Sequence, residues 1–168
     1  MFELNDYVFY GSGGVCKIVD VQKAPLDGMP EDKLYYILHS LHDQSSVMYV
    51  PVDSDCIFLR RLVSREEAES LLQTIPSVSV IEEPNAKLLR EKYNLAMKAH
   101  LPIEWVRVIK TVYARMNDPK MPSRKISETE RSFAENAKKY LHMELSIVLE
   151  TELKKIEQDV LACIRANG

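Results

Sequence analysis

Glycine and proline divide this chain before any hydrophobic pattern is counted. Gly11, Gly13, Gly14 and Gly28 fall within the first 28 residues, Gly168 is the only later glycine, and neither glycine nor proline interrupts residues 123–167. A front rich in residues that permit tight turns and a back without them predicts short strands followed by helices. At 168 residues the chain can hold two small domains.

The strand signals come in order. Asp6-Tyr-Val-Phe-Tyr10 is aromatic and β-branched, Gly11-Ser-Gly-Gly14 can turn the chain, and Val15 to Val21 continues as a second strand. Ala24 to Lys33, with Pro25, Gly28 and Pro30, reads as a loop before a third strand, Leu34 to His39. Val47 to Pro51 follows as a fourth strand, and Pro51 marks a strand end or sheet edge because it cannot donate to a ladder. Cys56 to Leu59 is a weaker fifth. Such a series predicts a small twisted antiparallel sheet or barrel of the SH3 or Tudor type.

From Ser64 the period becomes helical. Ser64-Arg-Glu-Glu67 is a capping box for a helix that Pro76 ends, and Asn85 caps a second helix in which Leu88, Leu89, Lys92, Tyr93 and Ala96 recur at helical spacing. Pro102 opens a third helix with the stripe Trp105, Val108, Ile109 and Val112. Ser127-Glu-Thr-Glu130 is a second capping box, and the last stretch is either one very long helix or, as typical helix lengths favour, two helices breaking near Glu150 and Thr151. The fold class is therefore α+β, with strands in residues 1–63, a connecting helix and linker in 64–84, and a helical domain in 85–168.

Charge is partitioned along the same line. Residues 86–140 carry thirteen Lys and Arg against six Asp and Glu, a net of +7, in a chain whose net charge is −3. Residues 1–85 carry six against fourteen, a net of −8. A basic helical block in an acidic chain fits a polyanionic partner through phosphate neutralisation. An acidic protein partner, with this chain as an adaptor, is the alternative.

Other chemistry finds little support. Gly11 to Gly14 leads into a strand rather than a helix, so it does not cradle a phosphate. Cys16, Cys56 and Cys163 are scattered, as are His39, His42, His100 and His142, and none has metal-ligand spacing. Glu66, Glu67, Glu69, Glu82 and Glu83 lack a nearby nucleophile or histidine. No enzyme activity, cofactor or metal is expected. No apolar run approaches the roughly 18 to 20 residues that span a bilayer, and the start lacks a signal peptide, so a cytosolic protein is expected.

Asn5-Asp-Tyr-Val-Phe-Tyr10, Gly13-Gly-Val15, Leu34-Tyr-Tyr-Ile-Leu38 and Val47-Met-Tyr-Val-Pro-Val52 at the front, with Arg90-Glu-Lys-Tyr93 and Ile126-Ser-Glu-Thr-Glu-Arg131 at the back, stand in a telling order. In that order the chain resembles the CarD (CdnL-type) family of bacterial transcription regulators. That family shares its N-terminal module with the RNA-polymerase-interacting domain of transcription-repair coupling factor. The resemblance implies a Tudor-like domain docking on the polymerase β subunit, and a helical domain holding promoter DNA without sequence readout to modulate open-complex stability. Such a protein is cytoplasmic and reaches the nucleoid through polymerase.

Carried over residue by residue, the resemblance assigns polymerase contact to Ala24, Leu26, Tyr49, Val50 and Pro51. Ala24 and Tyr49 replace arginines common in the family. DNA contact falls to Lys87, Leu89, Arg90, Lys92, Arg124, Lys125, Arg131 and Lys138. Leu89 occupies the position of the family tryptophan that wedges into the minor groove, whereas Trp105 lies in the next helix and reads as core.

Overall fold

A computed structural model describes residues 1–55, 58–121 and 126–166 and divides the chain into two units, Met1–Leu62 and Val63–Gly168.

The first unit is a five-stranded antiparallel sheet of β1 Tyr7–Tyr10, β2 Gly14–Lys23, β3 Leu34–Ser40, β4 Val47–Pro51 and β5 Leu59–Arg61, in the spatial order β4-β3-β2-β1-β5. Of the two forms expected, sheet or barrel, the protein adopts the open sheet, with β4 and β5 as its outer strands. The fifth strand lies slightly later than Cys56 to Leu59, and Cys56 itself is outside the described residues.

Two local features shape this sheet. Gly14 adopts φ 74°, a left-handed backbone that favours glycine, and closes the β1–β2 turn. The β2–β3 register passes from Ile18:Leu38 to Asp20:Ile37, so Val19 is the extra residue of a bulge. On one face Val8, Cys16, Ile18, Tyr36, Leu38 and Val50 form the core, joined by Phe2, whose N–H donates to the Tyr36 hydroxyl. At Gly13 a Cβ would stand 2.4 Å from Met48 Sδ, so a side chain there would require the flexible end of Met48 to move.

The second unit contains α1 Arg65–Thr74, a 3-10 turn Ile75–Ser77, α2 Ala86–Lys98, α3 Pro102–Met116, α4 Glu128–Leu149 and α5 Leu153–Arg165. The Ser64 capping box forms with both arms: Glu67 N–H donates to Ser64 Oγ, and Ser64 N–H to Glu67 Oε2. At α4 the Ser127 hydroxyl accepts from Glu130 N–H, while the Glu130 carboxylate is engaged by Arg115 and Tyr93. The last stretch breaks where expected, with Glu150 at φ 50°. No glycine marks that break. Hydroxyls hold it instead: Ser146 Oγ donates to the Thr151 carbonyl and Thr151 Oγ1 to the Leu149 carbonyl.

Trp105, Val108, Ile109 and Val112 of α3 are buried with Ala137, Leu141 and Leu145 of α4 and Ile156, Val160 and Ile164 of α5. Residues 64–84 are fastened to this core. Lys110 Nζ donates to the carbonyls of Ile75 (2.8 Å), Pro76 (3.1 Å) and Val78 (2.7 Å), Thr111 Oγ1 accepts from Ile81 N–H, and buried Glu144 accepts from Val63 N–H. Among the described residues no helix is long and apolar enough to cross a membrane.

Candidate docking edge and basic helical face

The outer edge of β4 can be derived group by group. Ser40 N–H donates to the Ser46 carbonyl and Val52 N–H to the Leu34 carbonyl, so hydrogen-bonded pairs bracket the β3–β4 register at both ends. Such pairs alternate along an antiparallel ladder. Tyr36:Val50 and Leu38:Met48 are therefore hydrogen-bonded to each other, and Val47, Tyr49 and Pro51 turn their backbone groups to the free edge. Pro51 has no N–H to lose there, which explains how a proline sits in this strand. Val47 to Pro51 contains no charged side chain, so Pro51 and the short length of the strand are what limit pairing of this edge with another strand.

This geometry sorts the expected polymerase contacts. Tyr49 and Pro51 belong to the free row. Val50 does not: it is 2 % exposed, its side chain packs in the core, and its backbone is committed to β3. Val47 takes its place in the row. The period of two already contained that answer, since a proline facing outward places residues two and four positions earlier beside it. Ala24, at φ 39°, donates to the Lys33 carbonyl and closes the β2–β3 loop, which carries exposed Leu26. The pairs Lys23:Leu34 and Tyr35:Pro51 place that loop at the Pro51 end of the edge.

In the second unit, Lys87, Arg90 and Lys98 of α2 are exposed, lie at positions 0, 3 and 11 on one helical face, and have no ion-pair partner among the described residues. Lys92 has one: its ammonium lies 3.2 Å from the Glu83 carboxylate. Glu83 is held below the usual carboxylate range by its hydrogen bond from the Asn85 backbone and by Lys92. Lys138 lies 3.2 Å from Glu135 in an exposed pair. Arg131 is exposed in the first turns of α4, and Arg124 and Lys125 lie outside the described residues.

Leu89 requires a correction. It is 3 % exposed, so its side chain is not available as a wedge. The physical reason is helical spacing: Leu89, Tyr93 and Ala96 fall at i, i+4 and i+7 on the core stripe. The exposed leucines of α2 are Leu88 at 45 % and Leu95 at 69 %.

Beneath this face Arg115 forms a forked pair with Glu130, at 2.8 Å from Nε and 3.1 Å from Nη2, and Tyr93 donates to the same carboxylate. Burial and the Glu130 charge push the Tyr93 hydroxyl upward, while Glu130 holds Arg115 more firmly protonated. Glu130 thus ties α2, α3 and α4 together. No group of three or more His, Cys, Asp or Glu able to hold a metal occurs among the described residues.

An open antiparallel sheet whose outer strand β4 carries no charged side chain leaves a row of backbone groups unpaired within the sheet. Residues 2–63 match the sequence model of the CarD-like/TRCF RID domain, and the first unit is a domain of that family, the RNA-polymerase-interacting domains. The match ends where the helical unit begins. No curated protein matches the chain.

Proposed function

We propose that this protein is a non-enzymatic bacterial transcription regulator that docks on the RNA polymerase β subunit through the β4 edge and holds promoter DNA through its helical unit, modulating open-complex stability. It acts in the cytoplasm, on the nucleoid, through polymerase. The observation that carries the reading is the free, uncharged edge of a polymerase-interacting domain. A polymerase strand laid along it would pair with Val47, Tyr49 and the Pro51 carbonyl, with Leu26 of the adjoining loop as an apolar contact. For DNA, exposed Lys87, Arg90 and Lys98 offer phosphate contacts without base readout.

Tyr49→Pro tests the docking. It removes an N–H that points away from β3, so the sheet is retained while the docking row loses a donor. Capture of the purified polymerase β lobe by the full chain should disappear; unchanged capture would sink this mode of docking.

The adaptor reading has one observation in its favour: Leu88 and Leu95 are exposed near the α2 cations, and phosphates need no leucines. A DNA gel shift across a salt series separates the two readings. No binding at low salt would favour the adaptor.

A further inference from the structure

The β2–β3 ladder ends in a substitution of chemistry. Leu41 N–H donates to the Val15 carbonyl at 2.9 Å, as the next antiparallel pair after Cys16:Ser40 requires. The return bond of such a pair would run from Val15 N–H to the Leu41 carbonyl. Val15 N–H donates instead to His42 Nε2, at 3.0 Å. An imidazole thus occupies the place of a ladder carbonyl, against the backbone of a fully buried residue.

The surrounding bonds make this a junction between two turns. Ser40 Oγ donates to the Gly13 carbonyl of the β1–β2 turn and accepts from the N–H groups of His42 and Asp43. The Asp43 carboxylate accepts from Ser45 N–H, Ser45 Oγ and Ser46 Oγ, which closes the turn into Val47. The elements that meet at the junction carry the ionisable residues Tyr10 on β1, Lys17 on β2, His39 on β3 and Asp43 in the turn itself. Lys17 is directed over the Tyr7 ring, 5.8 Å from its centroid, and His39 is exposed.

An imidazole nitrogen accepts a hydrogen bond only when it carries no proton, so this contact requires neutral His42 with its proton on Nδ1. Protonation turns Nε2 into a donor facing another donor. A peptide carbonyl in the same place could not be switched in this way. We infer that His42 is a pH-sensitive latch: acidification breaks its bond to Val15, frees the turn at residues 41–46 and loosens the start of β4. The turn runs directly into Val47, the first residue of the free edge. Weakened docking as a consequence rests on the polymerase reading; the release of the turn does not.

Amide hydrogen exchange on the full chain, corrected for the intrinsic pH effect, tests the latch at single residues. Between about pH 7.5 and about pH 5.5, which bracket the ordinary histidine range, protection of the Val15 amide should fall measurably, by up to about tenfold, in the wild type. In His42→Gln, whose amide oxygen can accept at the same place without titrating, it should hold. Equal protection at both pH values in the wild type, or an equal fall in His42→Gln, overturns the inference. Nitrogen chemical shifts of the wild-type imidazole give a check that needs no variant. They should report the Nδ1–H tautomer at the higher pH, and an Nε2–H tautomer would also overturn the latch. If the turn is released on schedule while capture of the polymerase β lobe stays constant, the latch stands and its link to docking falls.

Discussion

Replacing Lys87, Arg90 and Lys98 together by alanine isolates the part of the basic block that the structure leaves available to DNA. All three are exposed and none has an ion-pair partner among the described residues. Each phosphate that is no longer neutralised should reduce the slope of log K against log salt by about 0.9, so the triple substitution reduces it by about 2.7. Over a fourfold change in salt, from about 50 to about 200 mM, a slope of 2.7 corresponds to roughly a 40-fold change in affinity. Fluorescence anisotropy of a labelled forked promoter fragment, titrated at several salt concentrations, measures this directly. The variant should bind more weakly at low salt and respond less steeply to added salt, with its helical signal unchanged. Lys92→Ala alone should change the slope less, because that ammonium is shared with Glu83. A variant that keeps the wild-type slope would refute the assignment of this face, and the DNA partner would have to be sought elsewhere on the helical unit.

The remaining predictions concern the framework that holds these surfaces. Lys110→Met leaves three carbonyls without their donor and should lower stability by roughly 2–4 kcal/mol, read as a shift in urea midpoint. The single tryptophan, Trp105, is buried beside the Tyr140 ring and supplies the fluorescence signal; an unchanged midpoint would show that the carbonyl cage contributes nothing. Glu130→Gln keeps the side-chain volume but breaks the charged fork to Arg115, with an expected loss of about 1–3 kcal/mol in the same assay. Burial pushes the Cys16 thiol up to about 12, against an ordinary value of about 8.5 when unfolded. Its contribution to stability is therefore complete below about pH 8.5 and is lost as pH rises above that value. The urea midpoint measured by circular dichroism should fall between about pH 8 and 10 more in the wild type than in Cys16→Ala, and parallel curves would contradict this.

Much of the architecture was legible because it is local. Ser64 and Glu67 lie three residues apart and form their box; Asn85 caps α2; Val47–Pro51 is a strand with the limits its composition suggested. Helix length favoured a break near Glu150 without excluding one continuous helix, because the backbone uses no glycine there and relies on Ser146 and Thr151. Open sheet versus closed barrel was not legible. That outcome depends on whether the outer strands meet, and no pattern within β4 or β5 specifies it. The bulge at Val19 was also hidden, since inserting one residue leaves the local β propensity of Ile18 to Val21 unchanged.

The candidate sites failed to be legible for a different reason: a charge count adds side chains without asking which have already been used. Lys110 lies in the basic block, yet its ammonium is buried against carbonyls 32 to 35 residues earlier in the chain. Arg115 is bound by Glu130, fifteen positions later, and Lys92 is shared with Glu83 outside the block. The net of +7 therefore overstates the charge offered to a polyanion, because helix packing consumed part of it. Leu89 and Val50 show the same logic for apolar residues. Each was singled out by its place in an aligned motif, but on a helix or strand one position changes the face. Period alone turns Leu89 inward with Tyr93 and leaves Leu88 exposed, and it buries Val50 between the outward residues Tyr49 and Pro51. A motif locates the element that carries a surface, whereas the period of that element decides which of its residues reach a partner.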